Sequence, residues 1–237
     1  MITADVPYAI DGKVFTGYFA AGDQSGKRPG ILVCHEGGGL GEHAKERARM
    51  LAALGYAAFA LDMFGEPVTS RAHAMEMLQG LMANLPTLRG RALAGLAILR
   101  GYEQVDALRT AAIGFCFGGT TVLELARSGA DLACVVGFHS GLQTMAPQDA
   151  RNVRCKVMVC LGAEDPIITP EHRSAFLAEM TAGGVDWQML LYAKAGHSFT
   201  NREVDAMNVP GFAYDKLTDD RSWSAMRALF DETIGPV

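Results

Sequence analysis

The sequence predicts an α/β fold: a mostly parallel central sheet covered by helices on both faces and entered through an N-terminal antiparallel hairpin. Three observations carry this. Short unbroken apolar runs alternate with helix-period patterns from Gly30 to the C-terminus, the pattern of strands buried on both faces. The opening Pro7 to Phe19 instead alternates apolar and polar residues around Asp11-Gly12, a pair suited to the two positive-φ positions of a tight hairpin. And 237 residues at 49% hydrophobic and 20% charged can bury one sizeable core, so residues 1–237 read as a single domain without a large cap.

The apolar runs Gly30 to Cys34, Tyr56 to Leu61, Ala111 to Phe115, Leu132 to Phe138, Lys156 to Leu161 and Trp187 to Tyr192 are the expected strands. Between the first two, Ala44, Ala48, Leu51 and Ala52 fall on one helix face and Gly55 stands where a left-handed C-terminal cap belongs. Near the C-terminus Trp223, Met226, Leu229 and Phe230 form an apolar stripe, with Asp219 or Asp220 as its expected cap. Residues Gly65 to Gly101 exceed one crossover, and Pro86 divides them into two helical pieces, the first rich in methionine. They read as sheet cover, or as a segment whose start near Arg71 overhangs a pocket.

A formal charge of −5 with scattered Lys and Arg offers no basic patch, so nucleic acid is not an expected partner. No segment has the apolar length of a membrane span, and Met1 to Tyr8 has neither a basic start nor an apolar run. The five cysteines are odd in number, and Cys34, Cys134, Cys155 and Cys160 lie within or beside strand runs. Free thiols in a reducing cytoplasm are therefore expected.

The chemistry concentrates at strand ends. Gly114-Phe-Cys-Phe-Gly-Gly119 follows the Ala111 strand and leads into a helix, the spacing of a nucleophile elbow with Cys116 at its centre. A helix N-terminus favours thiolate, the attacking form of a cysteine. Taken alone, Cys116 reads equally well as one more small buried residue; its position and the partners that follow change that balance. The α/β-hydrolase order is nucleophile, acid, histidine. Gly162-Ala-Glu-Asp-Pro166 follows the Lys156 strand and supplies Asp165, with Glu164 its near competitor and an ordinary Asp-Pro turn the bland reading. Ala193-Lys-Ala-Gly-His-Ser-Phe199 follows the Trp187 strand and supplies His197. His43, His73 and His172 lie on helical stretches and read as solvated, while His139 ends a strand ahead of the acid. His35-Glu-Gly-Gly-Gly-Leu40 follows the first parallel strand, where this fold takes one oxyanion donor. Gly37 N–H and Phe117 N–H are the expected pair.

With these residues in place, the chain resembles the dienelactone hydrolase (carboxymethylenebutenolidase-like) family over nearly its whole length. The likeness rests on Glu36, Cys116, Asp165 and His197, with Leu61-Asp-Met-Phe-Gly65, Gly211-Phe-Ala-Tyr214 and Asp220-Arg-Ser-Trp223. It implies ester or lactone hydrolysis through a Cys-His-Asp triad and a thioester acyl-enzyme. It also implies that Glu36 holds the resting thiol away from the histidine; from the residues alone, a structural acceptor for loop N–H groups is an equal reading. The family holds a substrate carboxylate with arginines in the neighbourhoods of Arg71 and Arg202. Aromatic residues found after the glutamate in relatives are Gly37 and Gly38 here, which should widen the pocket mouth.

No cofactor or metal is expected, since no H-E-x-x-H, paired C-x-x-C or phosphate-binding glycine loop occurs. The expected partner is a small ester or lactone, with the chain a monomer or small homo-oligomer. The alternatives are an esterase, thioesterase or acyltransferase of the same fold with an unrelated acyl substrate, a non-catalytic binder, and a redox-sensing Cys116. The long segment Asn201 to Tyr214 is a candidate lid.

Overall fold

The computed structural model describes residues 1–237. Its strands are β1 Ile2–Ile10, β2 Lys13–Ala21, β3 Arg28–Cys34, β4 Ala57–Leu61, β5 Val105–Phe115, β6 Cys134–Phe138, β7 Lys156–Gly162 and β8 Trp187–Tyr192. Its helices are α1 Glu42–Ala53, α2 Arg71–Met82, α3 Leu85–Arg100, α4 Phe117–Arg127, α5 Pro170–Ala182 and α6 Lys216–Thr233. The eight strands form one sheet in the order β1-β2-β4-β3-β5-β6-β7-β8. β1/β2 and β2/β4 pair antiparallel and all other neighbours parallel. This is the α/β-hydrolase fold.

Asp11 (φ 50°) and Gly12 (φ 79°) make the two-residue turn between β1 and β2, with Ile10 opposite Lys13. In the parallel strands successive side chains enter opposite apolar layers. Leu32, Phe59, Ala112, Val135 and Val157 meet α3, α4 and α5, whereas Ile31, Ala58, Ile113, Val136 and Met158 meet α1 and α6. Each fully buried Leu, Ile or Phe contributes about 1.5–3 kcal/mol, which is why these runs carry no polar interruption.

Helix ends follow local chemistry. After α1, Gly55 (φ 107°) donates to Ala52 O at 3.1 Å and Tyr56 N–H to Leu51 O at 3.1 Å, the paired bonds of a Schellman cap. Pro86 lies in the first turn of α3, where it lacks no needed donor, and Asn84 caps that turn. Two boundaries differ from expectation. α6 begins a turn early, capped by Asp215, whose Oδ1 accepts from Thr218 N–H at 2.6 Å; Asp219 instead pairs with Arg47 and Asp220 with Lys216. β5 begins at Val105, because Val105 and Asp106 pair with Arg28 and Pro29 before a bulge restores register at Thr110. The unpaired Ala107-Leu108-Arg109 of that bulge, with Ala107 and Leu108 exposed, concealed the strand.

The expectation for the methionine-rich piece also changes. α2 buries only Leu81 and so is not plain sheet cover. It leans over the loop after β3, where a Cβ on Gly37 would stand 3.3 Å from Leu78 Cδ1. Leu78 therefore occupies the space beside Gly37, while nothing lies within 4 Å of a Cβ on Gly38; the mouth is widened at Gly38 only. No helix is long and apolar enough to cross a membrane.

Candidate active site

Because β3, β5, β6, β7 and β8 run parallel, the loops that follow them emerge at one edge of the sheet. These loops carry Glu36, Cys116, His139, Asp165 and His197.

Cys116 sits between β5 and α4 with φ 53° and ψ −113°, a strained conformation for a residue with a side chain, costing roughly 1–3 kcal/mol. The surrounding glycines are sterically required. A Cβ on Gly114 would lie 1.9 Å from Gly118 O, and one on Gly118 would lie 2.0 Å from Cys34 O. The elbow is thus pressed directly against the end of β3. Cys116 is the one partly exposed cysteine; the other four are buried free thiols. Burial pushes Cys134, Cys155 and Cys160 up to about 12 and Cys34 higher still, so none of these is a ready nucleophile.

Asp165 and His197 meet as their strand-end positions suggest. His197 Nδ1 lies 2.7 Å from Asp165 Oδ2, and both side chains are essentially inaccessible. Asp165 Oδ1 accepts from the N–H groups of Ile167 at 2.8 Å and Ile168 at 3.2 Å, which fixes the carboxylate. Glu164 is exposed. His197 Nε2 is buried without a hydrogen-bond partner. Burial opposes charging of this ring, but the charges of Cys116 and Asp165 together with the Asp165 hydrogen bond outweigh it, pushing His197 up to about 10. The N–H groups of Gly37 and Phe117 donate to no other group of the chain, leaving both open for an incoming oxygen.

The loop after β8 is not a free flap. His197 N–H donates to Gly211 O at 2.8 Å, Ala213 N–H donates to His197 O at 3.2 Å, and the Phe212 ring lies 4.7 Å from the imidazole. The segment proposed as a lid therefore brackets the histidine through its own backbone.

Glu36 contacts the histidine loop rather than the thiol. Its Oε1 accepts from Ser198 Oγ at 3.0 Å and its Oε2 from Asn201 Nδ2 at 2.5 Å. Burial raises its pKa, and these two hydrogen bonds and the charge of His197 work in the opposite direction. Neither arginine is brought to this cluster. Arg71 is exposed at the first residue of α2 without an ion pair or hydrogen bond, and the exposed Arg202 lies 5.7 Å over the Tyr214 ring.

Sequence reasoning missed a second set of polar residues at the site. His139, read only as a strand end, is fully buried with φ 40°. Its Nδ1 accepts from Cys116 N–H at 3.1 Å and its Nε2 lies 2.8 Å from Thr200 Oγ1. Thr200 Oγ1 is in turn 3.2 Å from His43 Nε2. His43 is not solvated: its side chain is only 10% exposed, and burial and the nearby Arg47 bring its pKa down to about 3. No signal in the linear sequence joins these residues, since each comes from a different loop or helix.

Comparison with known proteins accords with this architecture. The family model described as the dienelactone hydrolase family matches residues 15–234. A solved structure named m3DLH is 45% identical, with TM-score 0.95 over 98% of both chains. A dienelactone hydrolase-like promiscuous phosphotriesterase from metagenomic libraries is 43% identical, with TM-score 0.94 over 99% of both chains. The Methylorubrum extorquens protein named "Putative carboxymethylenebutenolidase" is 28% identical over 211 residues, 84% of this chain and 72% of that one. A match running from the second strand to the last helix, on a sheet of this order with the elbow after its fifth strand, makes the chain a member of the dienelactone hydrolase family.

Proposed function

We propose that this chain hydrolyses small carboxylic esters or lactones with Cys116 as nucleophile, His197 as general base and acid, and Asp165 as its orienting carboxylate. One observation carries the reading. The buried Nε2 of His197 has no hydrogen-bond partner, while Nδ1 is held at 2.7 Å by Asp165, and the adjacent Cys116 is strained into an elbow at a helix N-terminus. A histidine oriented through one nitrogen and unsatisfied at the other is arranged to exchange a proton with the neighbouring thiol and then with the leaving group.

Cys116 Sγ attacks the carbonyl carbon, its proton residing on His197, and the carbonyl π electrons move to oxygen. Gly37 and Phe117 N–H groups receive that oxyanion, each contributing a few kcal/mol to transition-state stabilisation. Collapse expels the alkoxide, which takes the proton from His197 and leaves a thioester. His197 then deprotonates water, which attacks the thioester; the acid departs and the thiol is restored. In this conformation Glu36 serves by holding Ser198 and Asn201, and with them the histidine loop.

Cys116 packs against the apolar cluster that holds Phe64 and Phe117, and Arg71 and Arg202 are exposed away from it, a setting that favours a neutral substrate over an anionic one. The same nucleophile and uncharged setting support a second reading, cleavage of neutral phosphotriesters, which the relative described as a promiscuous phosphotriesterase favours. The test is hydrolysis of a dienelactone, a neutral p-nitrophenyl ester and a neutral phosphotriester by the wild type and Cys116→Ala. Activity on an ester that vanishes in the variant is expected; full activity in Cys116→Ala would make the thiol structural and end the proposal.

A further inference from the structure

We propose that His139, Thr200 and His43 are positioning residues for this reaction, forming a one-directional hydrogen-bond relay that runs from the backbone amide of Cys116 to His43, beside the Glu36 carboxylate. The inference rests on the catalytic reading above, since it concerns how that site is held.

The direction is fixed by a group that has no choice. An amide N–H can only donate, so His139 Nδ1, 3.1 Å from Cys116 N, must accept. The same N–H is shared with Phe138 O at 3.0 Å. A neutral imidazole accepting at Nδ1 carries its proton on Nε2, which donates to Thr200 Oγ1 at 2.8 Å. The threonine hydroxyl has one proton and gives it to His43 Nε2 at 3.2 Å. His43 must then carry its proton on Nδ1, which makes no hydrogen bond and lies 3.8 Å from Glu36 Oε2. The chain of hydrogen bonds ends at His43, beside a Glu36 carboxylate that accepts from Ser198 and Asn201, and these two hydrogen bonds favour its ionised form.

The charges around the relay agree with this assignment. Burial, with the charges of His197 from the loop after β8 and of Arg47 from α1, keeps His139 neutral, and His43 on α1 is itself held neutral. Arg47 is committed elsewhere, donating to Thr200 O at 2.5 Å and to Asp219 Oδ2 at 2.9 Å on α6. The relay therefore joins four loops and α1 through side chains that are all buried or nearly so. It holds the elbow amide at one end and places His43 beside Glu36 at the other.

Thr200→Val retains the shape and removes the hydroxyl. His43 Nε2 and His139 Nε2 then lose their partners and both tautomers are released. The expected result is a fall in kcat on the order of tenfold to a hundredfold, from misalignment at the reacting atoms, with KM within about twofold. Thr200→Ser, which restores the hydroxyl, should return kcat to within about threefold of wild type. Thermal melting establishes that both variants are folded. Wild-type kcat in folded Thr200→Val would overturn the relay, as would equal impairment of Val and Ser variants, which would indicate packing alone. Cys116→Ala, assayed beside them, separates the two failures: if it is active the catalytic reading falls, and if it is dead while Thr200→Val is normal, only the relay falls.

Discussion

Replacing Asp165 with Asn tests the orientation of His197 with almost no change of shape. The Asn carbonyl can still accept from Ile167 and Ile168 N–H, as Asp165 Oδ1 does now, but its NH2 then faces His197 Nδ1. That nitrogen must become an acceptor, so the proton moves to Nε2, the atom that has to receive one from the nucleophile. The magnitude follows from the site's electrostatics. Holding the imidazolium up to about 10 rather than 6.5 is worth on the order of 5 kcal/mol, shared between Cys116 and Asp165 against the opposing effect of burial. A loss of about 10³-fold in kcat is about 4 kcal/mol and lies within that sum. We expect such a loss for a p-nitrophenyl ester, with the melting temperature within a few degrees of wild type. The sign of the pH effect is also set. A raised His197 pKa keeps the ring charged up to about pH 10 in the wild type, so the alkaline limb should lie there and should move to lower pH in Asp165→Asn. Retention of more than a tenth of the activity, or an unmoved alkaline limb, would refute the assignment; Glu164→Gln, at an exposed site, should change kcat by less than about twofold.

Gly118→Ala places a methyl 2.0 Å from Cys34 O and should cost about 3 kcal/mol or more in urea unfolding, whereas Gly38→Ala, with open space around it, should stay within about 0.5 kcal/mol. Arg47→Ala leaves the buried Asp219 carboxylate without its cation and should lower stability by about 3–5 kcal/mol in the same measurement. Arg71→Ala and Arg202→Ala should each change kcat/KM for an anionic lactone by less than about twofold, and the wild type should prefer the neutral ester; a tenfold loss in either variant would place that arginine in the substrate pocket. Glu36→Gln, which turns one acceptor into a donor facing Ser198 or Asn201, should lower kcat without accelerating alkylation of Cys116 by iodoacetamide; faster alkylation would mean that Glu36 restrains the thiol.

The parts of the molecule legible in the sequence are those whose determinants are contiguous. The hairpin declares itself in Asp11-Gly12, the parallel strands in unbroken apolar runs, and the elbow in glycines that the packing against Cys34 demands. Asp165 and His197 could be chosen because each follows a strand whose place in the order is known. What escaped the sequence reading depends on distant partners. His139 finds Thr200 61 residues away, and Thr200 finds His43 across 157; no local period marks a helix histidine as buried when its burial comes from a loop after the last strand. The start of β5 was hidden for a related reason, since Val105 and Asp106 are ordered by pairing with β3 rather than by an apolar run of their own.

The placement of Glu36 follows from the same physics. A carboxylate behind the oxyanion loop is stable only if its oxygens are satisfied, and here Ser198 and Asn201 satisfy them. Hydrogen bonds to a charged acceptor contribute about 1.5–3 kcal/mol each, so swinging Glu36 to the thiol would forfeit several kcal/mol unless the histidine loop moved with it. That loop is bound to Gly211 and Ala213 on one side and held by Arg47 through Thr200 on the other. Glu36 and His197 are therefore positioned as one unit, and a change that releases either one must loosen the other.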